Sequence, residues 1–350
     1  MRPQCRITVD GQPVAGLFMD RLISCSVTDK EGASSDTVDI LLNDWPVAAI
    51  PRRGAEIRVW MGYAGTLAFM GTFEAEEIEV EILPYRMRIT GKAAEMRGDK
   101  KSNKERHWDN KSVKEIVEAI AGEHGLTPKI DDAVAAHVYE WVGQVGESNL
   151  HFLERLAERH GALFSIKDGN LIFAARGQGK SPSGRALTPV AITPETLIVG
   201  TCRVRLTERA KYKKIKGKYP DRAAGKQEEI EAESDPDGEA IFKIDFPFAD
   251  KKEAEKAVIA KAKELKRRKA AMSCRVVGNP AVRAGAPVVL SQCRPEIDGM
   301  RFIIETATHE YSGSGYTTAI AAQLGDDEDS FDEEENSEEF QFAPDGFTES

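Results

Sequence analysis

Between Ala55 and Met96 the chain reads "AEIRVWMGY", a short turn segment, and then "TLAFMGTFEAEEIEVEILPYRMRITGKAAEM". Apolar and polar residues alternate along two long runs on either side of Leu83-Pro84. A period of two puts alternate side chains on opposite faces, so these runs predict strands with one dry and one wet face. Gly62 and Gly65 predict a tight turn between the first two runs. Strands with one small apolar face need closure or a second sheet to bury it, which favours a meander or barrel over an open ribbon. "QCRITVDG", "DRLISCSVTDK" and "DTVDILLN" extend the same pattern towards the N-terminus.

The chain changes character after Arg97. "RGDKKSNKERHWDNKS" (97–112) is polar and reads as a linker or exposed loop. "SVKEIVEAIAGEHGL" then carries Val113, Ile116, Val117, Ile120 and Ala121 at helical spacing. Ser112 and Glu115 predict a capping box, and Gly125 a stop. A second helix starts near Ser148 or Asn149, with Phe152, Leu153, Leu156 and Ala157 as its stripe and Gly161 as its C′ residue. "ALFSIKDGNLIF" adds strand, turn and strand, so 98–176 predicts a small α/β insert. After a loop at 177–189 come a basic strand-like run (203–220) and a strand-turn-strand region around the D-P-D-G at 235–238. Residues 249–270 predict the strongest helix, with Ala254, Ala257, Val258, Ala262 and Leu265 on its apolar side. Strands return through 272–324. The fold class is α+β, mainly β: two β-barrel-like modules (1–97 and 190–324, the second including helix 249–270) with the insert at 98–176.

Charge is unevenly placed. The net charge of -10 comes from residues 326–350, which hold twelve acids and no Lys or Arg. Without those twelve, 46 acids face 48 basic residues, so the body is near neutral. Such a block repels itself, and 325–350 is expected to be a disordered acidic tail that solubilises, docks on a basic partner or shields a surface before assembly. Five cysteines without a C-x-x-C pair suggest free, mostly buried thiols in a reducing compartment. No run of eighteen apolar residues and no N-terminal apolar segment are present, which argues against a membrane span or classical secretion.

Candidate chemistry is thin. His309-Glu310 lacks the second His of a zincin helix and sits in an alternating, strand-like stretch. His151, Glu154 and Glu158 share a helical face, yet one helix supplies only half of a metal site. No G-x-S-x-G elbow or phosphate-binding loop occurs. Lys residues interleaved with Tyr212 and Tyr219, and "KELKRRKA" (263–270), could track a nucleic-acid backbone, but a near-neutral body gives them little support. The expectation is no catalytic, cofactor or metal residue.

Three segments carry a resemblance. "SNLHFLERLAERHGALFSIKDGNLIF", "SVKEIVEAIAGEHGL" and the closing "GNPAVRAGAPVVLSQCRPEIDGMRFIIETATHEYSGSGYTTAIAAQL" (278–324) occur in the order found in the phage late control gene D protein family, and the likeness spans about 1–325. The family resembles the hubs of contractile tails and the hub part of type VI secretion spike proteins. The resemblance implies a structural baseplate hub of a phage or tailocin. It implies a homotrimeric ring of two related modules per chain, joining the sixfold tail tube to the threefold spike. Implied partners are other copies of the chain, the spike, the tube and other baseplate proteins; nucleic acid enters only as DNA passing through the ring. The implied location is the tail particle, with the host cytoplasm during assembly. The alternatives are a cell-wall-degrading tail enzyme and, less favoured, a nucleic-acid-binding regulator.

Overall fold

The computed structural model describes residues 2–14, 17–32, 36–93, 102–167, 169–179, 185–207, 211–221 and 225–326. The acidic stretch 327–350 lies outside them. Strands dominate and helices are few, as the alternating pattern requires.

The N-terminal body contains β1 (Pro3–Val9), β2 (Gln12–Pro13), α1 (Leu17–Arg21), β3 (Leu22–Lys30), β4 (Thr37–Asn43), β5 (Glu56–Tyr63), β6 (Thr66–Glu81) and β7 (Arg86–Ala93). They pair antiparallel in the order β3-β4-β7-β6-β5-β1-β2. The predicted turn closes the β5–β6 hairpin with Tyr63 opposite Thr66. Gly62 is required there because a Cβ would lie 2.4 Å from the Thr66 carbonyl oxygen. The two runs around Leu83-Pro84 form the β6–β7 hairpin, with Glu81 opposite Arg86. Alternate residues Ile7, Val27, Ile40, Val59, Phe73 and Ile89 fill its core. Each contributes about 1.5–3 kcal/mol on burial.

The insert contains β8 (Asn103–Ser112), α2 (Val113–Glu123), β9 (Thr127–Ile130), α3 (Asp132–Ala135), β10 (Val138–Ser148), α4 (Asn149–Arg159), β11 (Ala162–Lys167) and β12 (Asn170–Ala175). The linker reading of 97–112 is corrected here: 103–112 is strand β8, paired antiparallel with β10. Its half-buried face is formed by Lys104, Arg106 and Trp108, two of them charged, so hydrophobic alternation gave no signal. The capping box is present: Ser112 Oγ accepts from Glu115 N (3.1 Å) and Ser112 N donates to Glu115 Oε2 (2.8 Å). Ser148, not Asn149, caps α4, accepting from His151 N. Phe152, Leu153 and Leu156 pack with Ile116, Ile120 and Phe173 in a core of their own.

The remaining elements are β13 (Val190–Ile192), β14 (Arg203–Leu206), β15 (Tyr212–Asp221), β16 (Lys226–Glu233), β17 (Ala240–Pro247), α5 (Lys251–Arg267), β18 (Ala270–Val277), β19 (Pro287–Leu290), β20 (Arg301–Ser312) and β21 (Gly315–Leu324). Asp235–Gly238 turns the chain, but not into a hairpin: β17 runs parallel to β15, on its far side from β16. Helix α5 packs its Val258, Ala262 and Leu265 face on this small sheet. Met272, Val288, Phe302, Ile304 and Ile320 belong to a further core beneath β18–β21.

The N-terminal and C-terminal strands share one sheet. β20 pairs antiparallel with β3, from Thr306 opposite Lys30 to Ser312 opposite Ser24. Among the described residues thirteen strands are thereby linked. Tyr316 of β21 reaches into the N-terminal core. Tyr63 Oη donates to the Gly278 carbonyl at 2.9 Å across the same junction.

Candidate functional site: assembly surfaces

The residues singled out for chemistry are dispersed. His309 is fully buried on β20, with Nδ1 2.9 Å from Tyr316 Oη and Nε2 3.1 Å from the Val282 carbonyl oxygen. Burial pushes its imidazole down to about 4, and nearby Arg283 acts the same way. It is a satisfied core residue with no path to a substrate. His151, Glu154 and Glu158 are exposed along α4, and no group of three potential ligands for a metal ion occurs among the described residues. Two lysines of the basic run are answered by its neighbour strand. Lys214 pairs with Glu231 and Glu233, and Lys216 with Glu229 and Glu231. These cross-strand pairs take up part of the charge that a phosphate backbone would need. Of the cysteines, Cys25 and Cys274 are buried, Cys5 and Cys202 half-buried and Cys293 exposed, so fewer are buried than expected.

A polar cluster that no motif announced lies between the insert and α5. Tyr139 on β10 donates to Glu253 Oε1 at 2.6 Å and stands 2.9 Å from His160 Nε2. Arg159 Nη1 reaches the same Glu253 oxygen at 2.9 Å, and Ala249 N donates to Glu253 Oε2 at 2.6 Å. His137 lies beside this group, its ring 5.1 Å from that of His160 and its Nε2 3.3 Å from Asp250 Oδ2. Asp250 is the N-cap of α5, accepting from Glu253 N. Burial, reinforced by His137, pushes His160 down to about 3, leaving a neutral ring. Burial and the Glu253 carboxylate push the Tyr139 hydroxyl upward. A Tyr-His-Glu arrangement invites an acid–base reading. Tyr139 and Glu253 are both fully buried, however, so no substrate reaches the shared proton. The cluster is a clamp holding α5 on the insert. Gly161 completes that contact: its φ of +65° ends α4, and a Cβ there would lie 3.0 Å from Ala260 Cβ of α5.

Surfaces suited to partners lie elsewhere. At the tip of the β6–β7 hairpin Ile82 and Leu83 are 72% and 78% exposed, and Leu83 holds φ +61°. A bulky apolar residue in the left-handed region at an open tip is costly, and such costs gather at functional positions. Trp45 lies alongside, its ring 5.0 Å from that of Tyr85. Val47 and Ile50, on the segment between β4 and β5, are also largely open to solvent. Exposed apolar groups gathered in this way mark protein contacts. No helix among the described residues is long and apolar enough to cross a membrane.

The profile of the phage tail baseplate hub (GPD) family matches residues 22–315, from β3 to the start of β21. The chain belongs to this family. Probable baseplate hub proteins of Escherichia phages 186 and P2 are each 28% identical to this hub. The first aligns over 93% of both chains, the second over 93% of this chain and 94% of its own. Among solved structures, the 43 kDa tail protein of prophage MuSo2 from Shewanella oneidensis superposes with a TM-score of 0.70 at 14% identity. That match covers 91% of the hub and 98% of the tail protein. An Escherichia coli type VI secretion component, described as similar to tail proteins of bacteriophage T4, shares the fold at a TM-score of 0.58 and 12% identity. It is covered over 77% of its length, and the hub over 92%. The protein is a structural hub of a phage-type tail baseplate and a component of the tail. Its relatives are structural proteins too.

Proposed function

We propose that the hub acts as a homotrimeric ring joining a sixfold contractile tail tube to a threefold spike. The observation that supports this is the pairing of β3 with β20, which ties two separately cored β bodies edge to edge in one chain. Three chains would set six such bodies around one axis while keeping a true threefold for the spike. We assign the two bodies to 1–97 and 190–324 and the α/β insert to 98–176. The apolar tip at Trp45, Ile82 and Leu83 is the surface assigned to contacts between copies. Work of this kind is mechanical and needs no catalytic residue, cofactor or metal. Spike, tube and other baseplate proteins are the partners, DNA passes through the ring at most, and assembly takes place in the host cytoplasm.

Native mass measurement of the hub, alone and with candidate spike and tube proteins, tests this reading. A trimer, formed alone or on addition of a spike, is expected. Leu83→Asp should weaken it while leaving the far-UV spectrum intact. A monomer that persists with every tail component and cleaves cell-wall material would overturn it.

A further inference from the structure

Two of the five cysteines, Cys202 and Cys274, pack in the core beneath β18–β21. The ladder between β14 and β18 sets them opposite each other. Its register runs from Leu206 opposite Ala270 to Arg203 opposite Ser273, so the next residue along, Cys202, meets Cys274. Beyond that point Thr201 keeps the strands together: its Oγ1 accepts from Arg275 N at 3.1 Å and donates to the Arg275 carbonyl at 3.2 Å. At the other end Thr207 N donates to the Lys269 carbonyl at 2.8 Å, which makes 207 and 269 a hydrogen-bonded pair. Hydrogen-bonded and non-hydrogen-bonded pairs alternate along an antiparallel ladder, so 202 and 274 fall on a non-hydrogen-bonded position. Opposed Cα atoms there lie about 4.5 Å apart, where side chains come closest. That separation is within the roughly 4.4–6.8 Å that a disulfide spans.

We propose that Cys202 and Cys274 are a disulfide-forming pair, oxidised by a small-molecule disulfide once the hub leaves a reducing compartment. Cys202 is half-buried and Cys274 buried, which sets the order of events. The Cys202 thiolate attacks one sulfur of the oxidant RSSR; that S–S bond breaks, RS⁻ leaves, and the mixed disulfide Cys202–S–SR forms. Cys274 then gives up its proton, and its thiolate attacks the Cys202 sulfur and displaces a second RS⁻. Two thiols are oxidised, one RSSR is reduced, and the two leaving thiolates take up the protons as RSH. Burial pushes the Cys274 thiol up to about 12 and the Cys202 thiol above its usual range. The thiolate is the nucleophile, so the pair reacts slowly near neutral pH and faster in base. The competing thiol is exposed Cys293, whose Sγ lies 3.4 Å from the Ser291 carbonyl and 3.9 Å from that of Ile192 in the same core. The bond has a structural consequence. Strand β14 is four residues long, ends the linked sheet and pairs, among the described residues, with β18 alone. The chain leaves β14 for β15–β17 and α5 and returns along β18, so the bond would staple the root of that unit to the sheet. On the reading above, with assembly in the host cytoplasm, the pair stays open while the tail is built and closes in the released particle. The thiol chemistry itself requires neither trimer nor spike.

Peptide mapping reads this directly. The full chain is incubated with excess oxidised glutathione, unfolded in urea with iodoacetamide, digested and followed by mass spectrometry. All five cysteines should alkylate before oxidation; afterwards Cys202 and Cys274 should be lost from the alkylated set and appear as one linked peptide pair. The link should form several-fold faster at pH 8.5 than at pH 7, as the thiolate fraction rises. Hydrogen exchange of the oxidised hub should slow in β14 and stay unchanged in β3–β7. Cys293→Ser should leave the yield of the link intact, and Cys202→Ser should abolish it. Should Cys202→Ser lose its far-UV spectrum, Cys274→Ala serves instead, and its oxidation should stop at a glutathione adduct on Cys202. A link from Cys202 to Cys293 in the parent chain overturns the proposal. So does a lasting glutathione adduct on Cys202 of the parent chain, or an unmodified pair after prolonged oxidation at pH 8.5. Native mass measurement assigns each preparation as monomer or trimer, and the link is expected in both, so failure of the ring reading and failure of this one are told apart.

Discussion

Glu253 collects three donors while fully excluded from water: the Tyr139 hydroxyl, Arg159 and the backbone N–H of Ala249. Glu253→Ala removes all three acceptor contacts at once. Arg159 is only 17% exposed at its side chain and loses its sole carboxylate partner among the described residues. Its guanidinium still lies over the rings of Phe246 and Phe248, at 5.5 and 5.9 Å. Breaking a buried ion pair from one side costs about 3–5 kcal/mol, because a charge is left behind. Each stranded donor adds about 1–3 kcal/mol when it stays dry. These costs overlap, since water entering the space left by the side chain relieves several of them together. The expected loss is therefore about 3–5 kcal/mol, a large part of a typical stability of about 5–15 kcal/mol. Glu253→Gln keeps an acceptor for Tyr139 and should lose about half as much. Tyr139→Phe should cost about 1 kcal/mol, and combining it with Glu253→Ala should be less than additive. Urea titration gives these values, and hydrogen exchange locates them: protection should fall in α4 and α5 and hold in β3–β7. A loss below about 1 kcal/mol for Glu253→Ala would refute the clamp and place its strength in the apolar contacts of α5.

Three further outcomes follow from other parts of the fold. His160 and His309 are held down to about 3 and about 4 by burial, against about 6.5 in the unfolded chain. Below pH 6.5 the unfolded state takes up protons that the folded state refuses, so their contribution is complete above that pH and is lost as pH falls towards 4 and 3. The slope is about 1.4 kcal/mol per pH unit for each histidine. Asp36, pushed up to about 6 by burial, opposes this between about pH 4 and 6, so His160→Gln is compared with the parent chain by urea midpoint at pH 7.5 and 5, and the variant should lose less on acidification. Gly278→Ala would drive a Cβ to 2.1 Å from the Tyr316 ring and should cost about 1–3 kcal/mol by thermal unfolding, disturbing the Tyr63–Gly278 bond between the two bodies. Ile82→Asp, at the exposed tip, should leave the melting temperature within about 2 °C while reducing assembly on sizing columns, since surface changes away from packed groups alter stability by less than about 0.5 kcal/mol.

Local signals were legible where one short segment carries its own instructions. The Ser112–Glu115 box, the Gly161 stop and the Tyr63–Thr66 hairpin are all set by neighbours within five residues. Helix 249–270 was legible from Ala, Glu and Lys content and runs from Lys251 to Arg267. Strand β8 was not, because its half-buried face carries Lys104 and Arg106 beside Trp108, which leaves no hydrophobic period to detect, and its partner β10 begins 26 residues past its end. The parallel placement of β17 was hidden for a related reason: a turn motif specifies a reversal of the chain, and the partner is chosen by what lies on the far side of β15. The clamp was least visible. Tyr139 and Glu253 are 114 residues apart, and neither belongs to a spacing that sequence alone would single out. The histidines that looked chemical divide accordingly, His151 onto an open helix face and His309 into the core.

The ladder between β3 and β20 also bears on how the chain is made. Residues 22–30 leave the ribosome long before 301–312, so a growing chain presents the outer edge of β3 unpaired until β20 has been made. Contacts so distant in sequence close slowly, because the intervening loop must first be gathered. A prematurely terminated chain thus carries an open strand edge, available to proteases and chaperones or to aggregation. A chain that stops short of β20 therefore lacks the ladder that ties its two cores into one sheet.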